Sequence, residues 1–388
     1  MKILIVTHYP VFPLSHGGSV RVLRLAEGLA GAGATVDLFV PWYPRQRRAA
    51  AAHDAVRVRS HVSAGNVLPA LLPERAIPGV VAFSLQPRWM QPRRRLRGLG
   101  PYDVVQLESP AVFSWAADVA GSPRLVYDAH NVESDYVRDR IHGRLSSAAV
   151  RRVLALEGGA VRGCDLLLAC TETDLGRLAE LYGEPAASRV ARTGYSRALA
   201  GADLSGLRET ARTELGIAPE ERVLLFLAGR AKHNLEAASW LEKEVMPKLD
   251  RSHVLLLVGR VSPASDAPNG PGRILRQGFV EDLRPIFAAS DLALNPVMSG
   301  SGSSVKVMDY LGAGLPIVST PIGARGFDDA SGRIRVAEPG EFAEAVSDAL
   351  ASTEPQTAQT GAEFDPMEIG ADLLGSYEEL LGRRGARA

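Results

Sequence analysis

Cysteine is scarce: two residues, Cys164 and Cys170, stand in a chain of 388. They flank the apolar run Leu166-Leu167-Leu168, so they read as buried thiols of a reduced protein rather than as a disulfide or a metal pair. No run of about 18 apolar residues is present, which leaves no candidate for a membrane-crossing helix. The opening MKILIVTHYP turns polar too soon for a signal peptide, and a cytoplasmic protein is expected. Charge of one sign is missing as well. Lys+Arg and Asp+Glu both number 44, so no global field argues for nucleic acid. The dinucleotide fingerprint GxGxxG is absent from the first strand-to-helix turn, and Pro41-Trp42 stand where an acid would end the second strand. That argues against a Rossmann oxidoreductase.

What is present is a repeated strand-helix plan. A chain of 388 residues exceeds the usual size of one hydrophobic core, so two domains are expected. Lys2 to Thr7 is a continuous apolar strand of the kind buried on both faces of a parallel sheet. A loop holding Gly17-Gly18 follows, then a helix over 19–32 and a strand over 35–40, a βαβ opening. Further strands are expected at 103–107, 125–128 and 165–169. His130 follows the second of these, at the carboxyl end where open α/β sheets bind ligands, although a structural histidine fits the position too. Between 44 and 100 the pattern is irregular. Gln86 to Gly100 interleaves Arg93, Arg94, Arg95 and Arg97 with apolar residues, either a solvated face or a surface for an acidic lipid or acceptor.

The hydrophobic pattern fades near 195–220, where we place a hinge. A second doubly wound domain then begins, with strands at 223–227, 254–259, 274–280 and 292–294. After the first of them Gly229, Arg230 and Lys232 occupy a turn, and Asn234 suits the N-cap of a helix over 235–249. The fourth strand runs into NPVMSGSGSSVKVMDYLGAGLPIVSTPIGARGF, residues 295–327. A Gly/Ser loop entering a helix is an anion-binding geometry, because backbone N–H groups converge there with the positive end of the helix dipole. Tight turns alone would also use those glycines; the Lys306 and Asp309 that follow favour a nucleotide-diphosphate site. A linker is expected at 352–364, and a last helix at 367–381 with Ile369, Leu373, Leu374, Tyr377 and Leu381 on one stripe.

Together these segments resemble the retaining glycosyltransferases of family 4 (glycosyl transferases group 1). The likeness spans nearly the whole chain, through Gly17-Gly18, YDAHNVES, LEGGAVRGCDLLLACTETDLGRL, FLAGRAKHNLEAASWL and GSGSSVKVMDYLGAGLPIVSTPIGARG. It implies an α/β GT-B fold: two doubly wound Rossmann-like domains facing each other across a cleft. Residues 1–200 would bind the acceptor, 201–365 the nucleotide sugar, and 366–388 would form a helix crossing back to the N-terminal domain.

The resemblance implies transfer from a nucleotide-diphospho-sugar to a glycan, lipid-linked or small-molecule acceptor, with retention and without a metal or other cofactor. No Asp-x-Asp motif stands in a suitable strand-end loop. The Arg93–Arg97 segment allows a peripheral contact with anionic membrane at its inner face, and the balanced charge leaves no nucleic-acid partner expected. His130, Arg230 and Lys232 are implied as the catalytic set: His130 at the donor sugar, the two cations at the diphosphate. Donor binding is carried over to Gly17, Gly18, Gly229, Ser301, Gly302, Ser303, Ser304, Lys306 and Asp309, the last for the ribose hydroxyls. One departure stands out. The family signature has two glutamates eight positions apart; here Ser301 takes the first place and Asp309 the second. That keeps two other readings open, a non-catalytic homologue binding a nucleotide sugar or a partner protein, and a sugar-nucleotide 2-epimerase.

Overall fold

The computed structural model describes the chain except residues 13, 15, 42–55, 62–78, 87–89, 116–117, 120, 142–145, 200–201, 230, 260–272, 300–303, 328–331, 352–363 and 386–388. The linker expected at 352–364 therefore lies almost wholly outside the described residues. The chain divides into two compact units, Met1–Thr193 with Pro366–Ala388, and Gly194–Asp365. The first division falls ahead of the 200/201 boundary read from the sequence. Part of the expected hinge is in fact the helix Leu204–Glu214, packed within unit 2. Its small and polar residues hid an amphipathic face that rests on the helix Arg284–Ala289.

Unit 1 is built on a parallel sheet of seven strands in the order β3-β2-β1-β4-β5-β6-β7. The strands are β1 (Lys2–Val6), β2 (Thr35–Pro41), β3 (Val56–His61), β4 (Val104–Leu107), β5 (Arg124–Ala129), β6 (Leu166–Ala169) and β7 (Ser188–Val190). The edge strands β3 (VRVRSH) and β7 (SRV) carry too little apolar run to be read from sequence. In β1 the side-chain alternation divides one strand between two cores. Ile3 and Ile5 join the first helix, Gly17–Gly31, and the tail helix, Pro366–Gly385. Leu4 and Val6 face Trp115 and Val153 on the other side. Both faces are covered, so the strand reads as unbroken apolar sequence.

The tail helix buries Leu373, Tyr377 and Leu380. It crosses the first helix at glycine on both sides: a Cβ on Gly370 would lie 2.1 Å from the Gly28 carbonyl carbon. Backbone meets backbone there, and no side chain can move aside. Gly370→Ala is therefore expected to destabilise unit 1 by about 1–3 kcal/mol through overpacking. Hydrogen exchange in the helix Gly17–Gly31 checks this, and unchanged protection would rule it out.

Unit 2 holds a second parallel sheet, six strands in the order β10-β9-β8-β11-β12-β13. These are β8 (Arg222–Leu227), β9 (His253–Val258), β10 (Arg273–Arg276), β11 (Leu292–Asn295), β12 (Ile317–Ser319) and β13 (Ile334–Val336). Strand β10 ends well before the expected Val280. The same alternation divides β8, with Val223 and Leu225 in one core and Leu224 and Phe226 in the other. In each sheet the central strands end at a loop-to-helix step, which is where an open α/β sheet presents chemistry.

Candidate active site

At the carboxyl edge of the unit 1 sheet, β1, β4 and β5 lie side by side and deliver Tyr9, Glu108 and His130 to one place. Gly17 and Gly18 do not form a loop; they are the first turn of the helix. His16 is its N-cap: its Nδ1 accepts from Ser19 N at 3.2 Å, and Ser19 Oγ accepts from His16 N at 3.3 Å. That reciprocal cap replaces the glycine-loop reading with a fixed helix start. A Cβ on Gly18 would stand 3.1 Å from His130 Nδ1 and 3.1 Å from Tyr9 Oη. The glycine leaves room there for the Tyr9 hydroxyl against the imidazole.

His130 Nε2 lies 2.6 Å from Glu108 Oε2, and Tyr9 Oη lies 3.3 Å from its Nδ1. Behind this pair, Gln106 Nε2 donates to Glu108 Oε1 at 2.7 Å and Tyr377 Oη donates to Gln106 Oε1 at 2.6 Å. Asp128, buried on β5, is gripped by a guanidinium fork from Arg21: Nε to Oδ2 at 3.0 Å and Nη2 to Oδ1 at 2.6 Å. Arg21 Nη1 donates onward to Ala191 O at 2.7 Å and to Thr193 Oγ1 at 3.3 Å. Burial, then the Asp128 charge, raises the Glu108 carboxyl above its ordinary pKa, while His130 and Arg21 pull it back. Burial also holds His8 down to about 3 and His16 to about 4, so both are neutral near pH 7. Tyr9 is raised well above its usual value, by burial first and then by Glu108 and Asp128, and stays a hydroxyl donor.

Ligand-type atoms of Glu108, Asp128 and His130 lie within 4.8 Å of one another, a spacing that a cation could use. Both Asp128 oxygens are already taken by Arg21, so a metal ion here would face a guanidinium across the carboxylate. Glu108 in turn is engaged by His130 Nε2 and Gln106 Nε2.

At the carboxyl edge of the unit 2 sheet the expected residues separate. Arg230, Ser301, Gly302 and Ser303 lie outside the described residues. Gly229 is exposed, and a Cβ there would meet nothing closer than Asn234 Nδ2 at 3.9 Å. Lys232 is 88% exposed and pairs at 3.4 Å with Glu236 one turn on. Asn234 is not an N-cap. The helix starts earlier, at Lys232–Trp240, with Ala231 at the cap, and it passes into a π turn at Leu241–Val245 instead of running on to 249.

The Asn234 side chain turns to Lys306, whose Nζ donates to Oδ1 at 2.7 Å. Lys306 Nζ also lies 4.5 Å above the Phe226 ring. Among the described residues no carboxylate pairs with this ammonium, and burial lowers its pKa to about 7. Ser304 precedes the helix Val305–Gly312 as its N-cap, without a side-chain capping bond. Asp309 is buried within that helix, and its Oδ1 accepts from Ser196 N at 2.9 Å. Leu227 N donates to Tyr310 Oη at 2.8 Å, which pins the end of β8 to the same helix.

Sequence reading singled out His130 and Lys306 and did not name Arg21, Glu108 or Tyr9, which the structure gathers around His130. Arg21 sits on an otherwise apolar helix face, and Glu108 closes a strand buried on both faces; both are signals of a paired internal charge. Of the four arginines between 93 and 97, Arg94, Arg95 and Arg97 are exposed, and Arg93 and Arg97 are both bound to Asp118. Among the described residues no helix is long and apolar enough to cross a membrane.

Comparison with known proteins extends these observations. Glycosyltransferase Family 4 matches residues 15–197, and Glycosyl transferases group 1 matches residues 221–352. Sucrose-phosphate synthase from Thermosynechococcus elongatus has a similar structure, with a TM-score of 0.65 at 16% identity over 100% of this chain and 98% of that one. HepE of Anabaena, solved with UDP and glucose, gives 0.67 at 16% identity, over 98% of this chain and 100% of that one. WaaG, a glycosyltransferase involved in lipopolysaccharide biosynthesis, gives 0.62 at 17% identity over 98% of each chain. At these identities the structural likeness speaks for the fold. A search of curated proteins gave no match. Two parallel α/β units, each matched by its own half of one enzyme family, make this chain a member of the family 4, group 1 glycosyltransferases with the GT-B fold.

Proposed function

We propose that the protein moves a sugar from a nucleotide-diphospho-sugar to an acceptor hydroxyl, with retention of anomeric configuration and without a metal ion. The observation that carries this reading is Lys306. A partly buried ammonium with an amide oxygen and an aromatic face, but no carboxylate, is incomplete until an anion arrives. It stands at the start of a helix that follows β11, so the helix dipole favours the same anion. Gly229, Arg230, Lys232 and the loop 301–304 would complete the diphosphate cradle. Asp309, its orientation set by Ser196, would take the ribose.

Bond cleavage places extra negative charge on the leaving nucleoside diphosphate. Fixed cations there stabilise the transition state more than the bound donor and supply what a metal would otherwise supply. His130 would act at the sugar, with the leaving phosphate taking the acceptor proton. The acceptor, a glycan, lipid-linked or small-molecule hydroxyl, is assigned to unit 1. Arg94 and Arg95 are its candidate contact with an anionic surface, and the cytoplasm its setting.

A donor panel tests this. UDP-, GDP-, ADP- and TDP-sugars are compared for protection against thermal unfolding, since a ligand bound to the folded state raises its stability by mass action. UDP-glucose, bound in a HepE structure, comes first. At least one donor is expected to protect, and UDP release from UDP-glucose is expected to survive dialysis against EDTA. Absence of protection by every donor would sink the reading, and loss of turnover restored by a divalent ion would sink its metal-free part.

A further inference from the structure

We propose that Glu108 is a positioning residue for His130: it holds the imidazole by Nε2, so that Nδ1 is the edge presented beside Gly18, and its own orientation is locked through Gln106 to Tyr377 of the tail helix. The proposal rests on the reading that His130 serves sugar transfer, and it adds the device that aims the ring. Imidazole has two chemically different edges, and a neutral ring offers a donor at one and an acceptor at the other. An ionised carboxylate can only accept, so with Glu108 ionised the 2.6 Å contact puts the ring proton on Nε2. Nδ1 is then an acceptor, and the Tyr9 hydroxyl at 3.3 Å is its donor. The same Nδ1 and the Tyr9 hydroxyl are the atoms that a Cβ on residue 18 would crowd, so the glycine leaves room for their contact.

The direction of each bond follows from the carboxylates. They only accept, so the nitrogen of the Gln106 amide must face them, and its Oε1 is left to accept from the buried Tyr377 Oη at 2.6 Å. Gln106 Nε2 faces two carboxylates, Glu108 Oε1 at 2.7 Å and Asp128 Oδ2 at 3.5 Å. Glu108 thus has one oxygen for Gln106 and the other for His130. Asp128, 3.8 Å from His130 Nε2, is the competing carboxylate, but its two oxygens are held by Arg21. Among the described residues, the charged and titratable groups around the ring include Glu108 after β4, Asp128 and Arg21 behind it, Tyr9 after β1, His8 and His16 beyond Tyr9, and Cys170, whose Sγ donates to His130 O at 3.5 Å. Of the two carboxylates, Glu108 is the nearer to the ring and is not bonded to Arg21.

Glu108→Gln tests this with almost no change of shape. Gln106 still offers its N–H to the oxygen of residue 108, so the new amide nitrogen must face His130 and donate to Nε2. The neutral ring then carries its proton on Nδ1. In wild-type protein labelled with 15N-histidine, the imidazole spectrum at alkaline pH is expected to report His130 as the Nε2–H form, and in Glu108→Gln as the Nδ1–H form. With UDP-glucose as the probe, kcat for UDP release is expected to fall roughly a hundred-fold, the scale of lost acid–base or positioning chemistry, with KM little changed. Tyr377→Phe keeps Glu108 accepting from Nε2, so the ring is expected to stay in the Nε2–H form, while kcat falls by a smaller factor than in Glu108→Gln because the Gln106 amide has lost its lock. An identical ring form in wild type and Glu108→Gln would overturn the positioning role, whatever the turnover. A switched form with unchanged kcat would overturn the assignment of His130 to transfer, and the proposal with it.

Discussion

Arg21→Met is expected to destabilise unit 1 by about 3–5 kcal/mol, the usual consequence of leaving a buried carboxylate without its cation. Arg21 and Asp128 are 2% and 0% exposed, so solvent cannot replace the lost partner. The guanidinium does more than neutralise. Its Nη1 bonds to Ala191 O and Thr193 Oγ1 just past β7, so one side chain joins the first helix, β5 and the last strand of unit 1. Lysine cannot supply that planar fork, so Arg21→Lys is expected to recover only part of the loss. Adding Asp128→Asn to Arg21→Met removes the orphaned charge and is expected to restore part of the stability, as a double-mutant cycle would show. With two units in the chain, global unfolding is not a single transition. Hydrogen exchange at the β5 amides gives the local value. Wild-type protection of β5 in Arg21→Met would show that the pair is not buried as described.

The second large effect concerns donor binding. Lys306→Met is expected to weaken a nucleotide-diphospho-sugar by about 10- to 100-fold, the equivalent of the 1.5–3 kcal/mol typical of a charge-assisted hydrogen bond. Folding should not suffer, because methionine fills the stem volume and a desolvated ammonium is removed. The pH dependence gives an independent check. Burial lowers the Lys306 pKa to about 7, so in the free protein the ammonium is present below that pH and is lost as pH rises through it. A bound diphosphate favours the charged form and raises the pKa again. Donor affinity is therefore expected to be level below about 7 and to decline above it, with a proton taken up on binding in the declining range. Calorimetry in buffers of different ionisation enthalpy measures that proton directly. Lys306→Met should abolish both the decline and the uptake, and a persistent decline in the variant would assign it to another group.

Much of this architecture could be read from the sequence, for a reason visible in β1 and β8. Strands covered on both faces must be apolar at every position, and such runs are conspicuous. Edge strands β3 and β7 escaped because one side of each is open and their residues are mixed. Helix starts were displaced where the cap came from an unexpected residue: His16 through Nδ1 in one case, and bare backbone at Ala231 in the other. Lys306 was found because a cation beside a glycine-rich loop is a local pattern. The support of His130 was not, since Tyr9, Arg21, Glu108, Asp128 and Tyr377 are brought together only by strand order. Nothing local links position 377 to position 106.

The glycine crossing of the tail helix with the first helix has a consequence for how the chain is made. Unit 1 is discontinuous, and its closing segment is translated after the whole of unit 2. Until then the surface over Ile3, Ile5 and Leu25 lacks the cover that Leu373, Tyr377 and Leu380 provide. Synthesis thus imposes an order. Unit 2, continuous from Gly194 to Asp365, has all its elements before unit 1 does, and the Gln106 amide receives its Tyr377 partner among the last contacts formed.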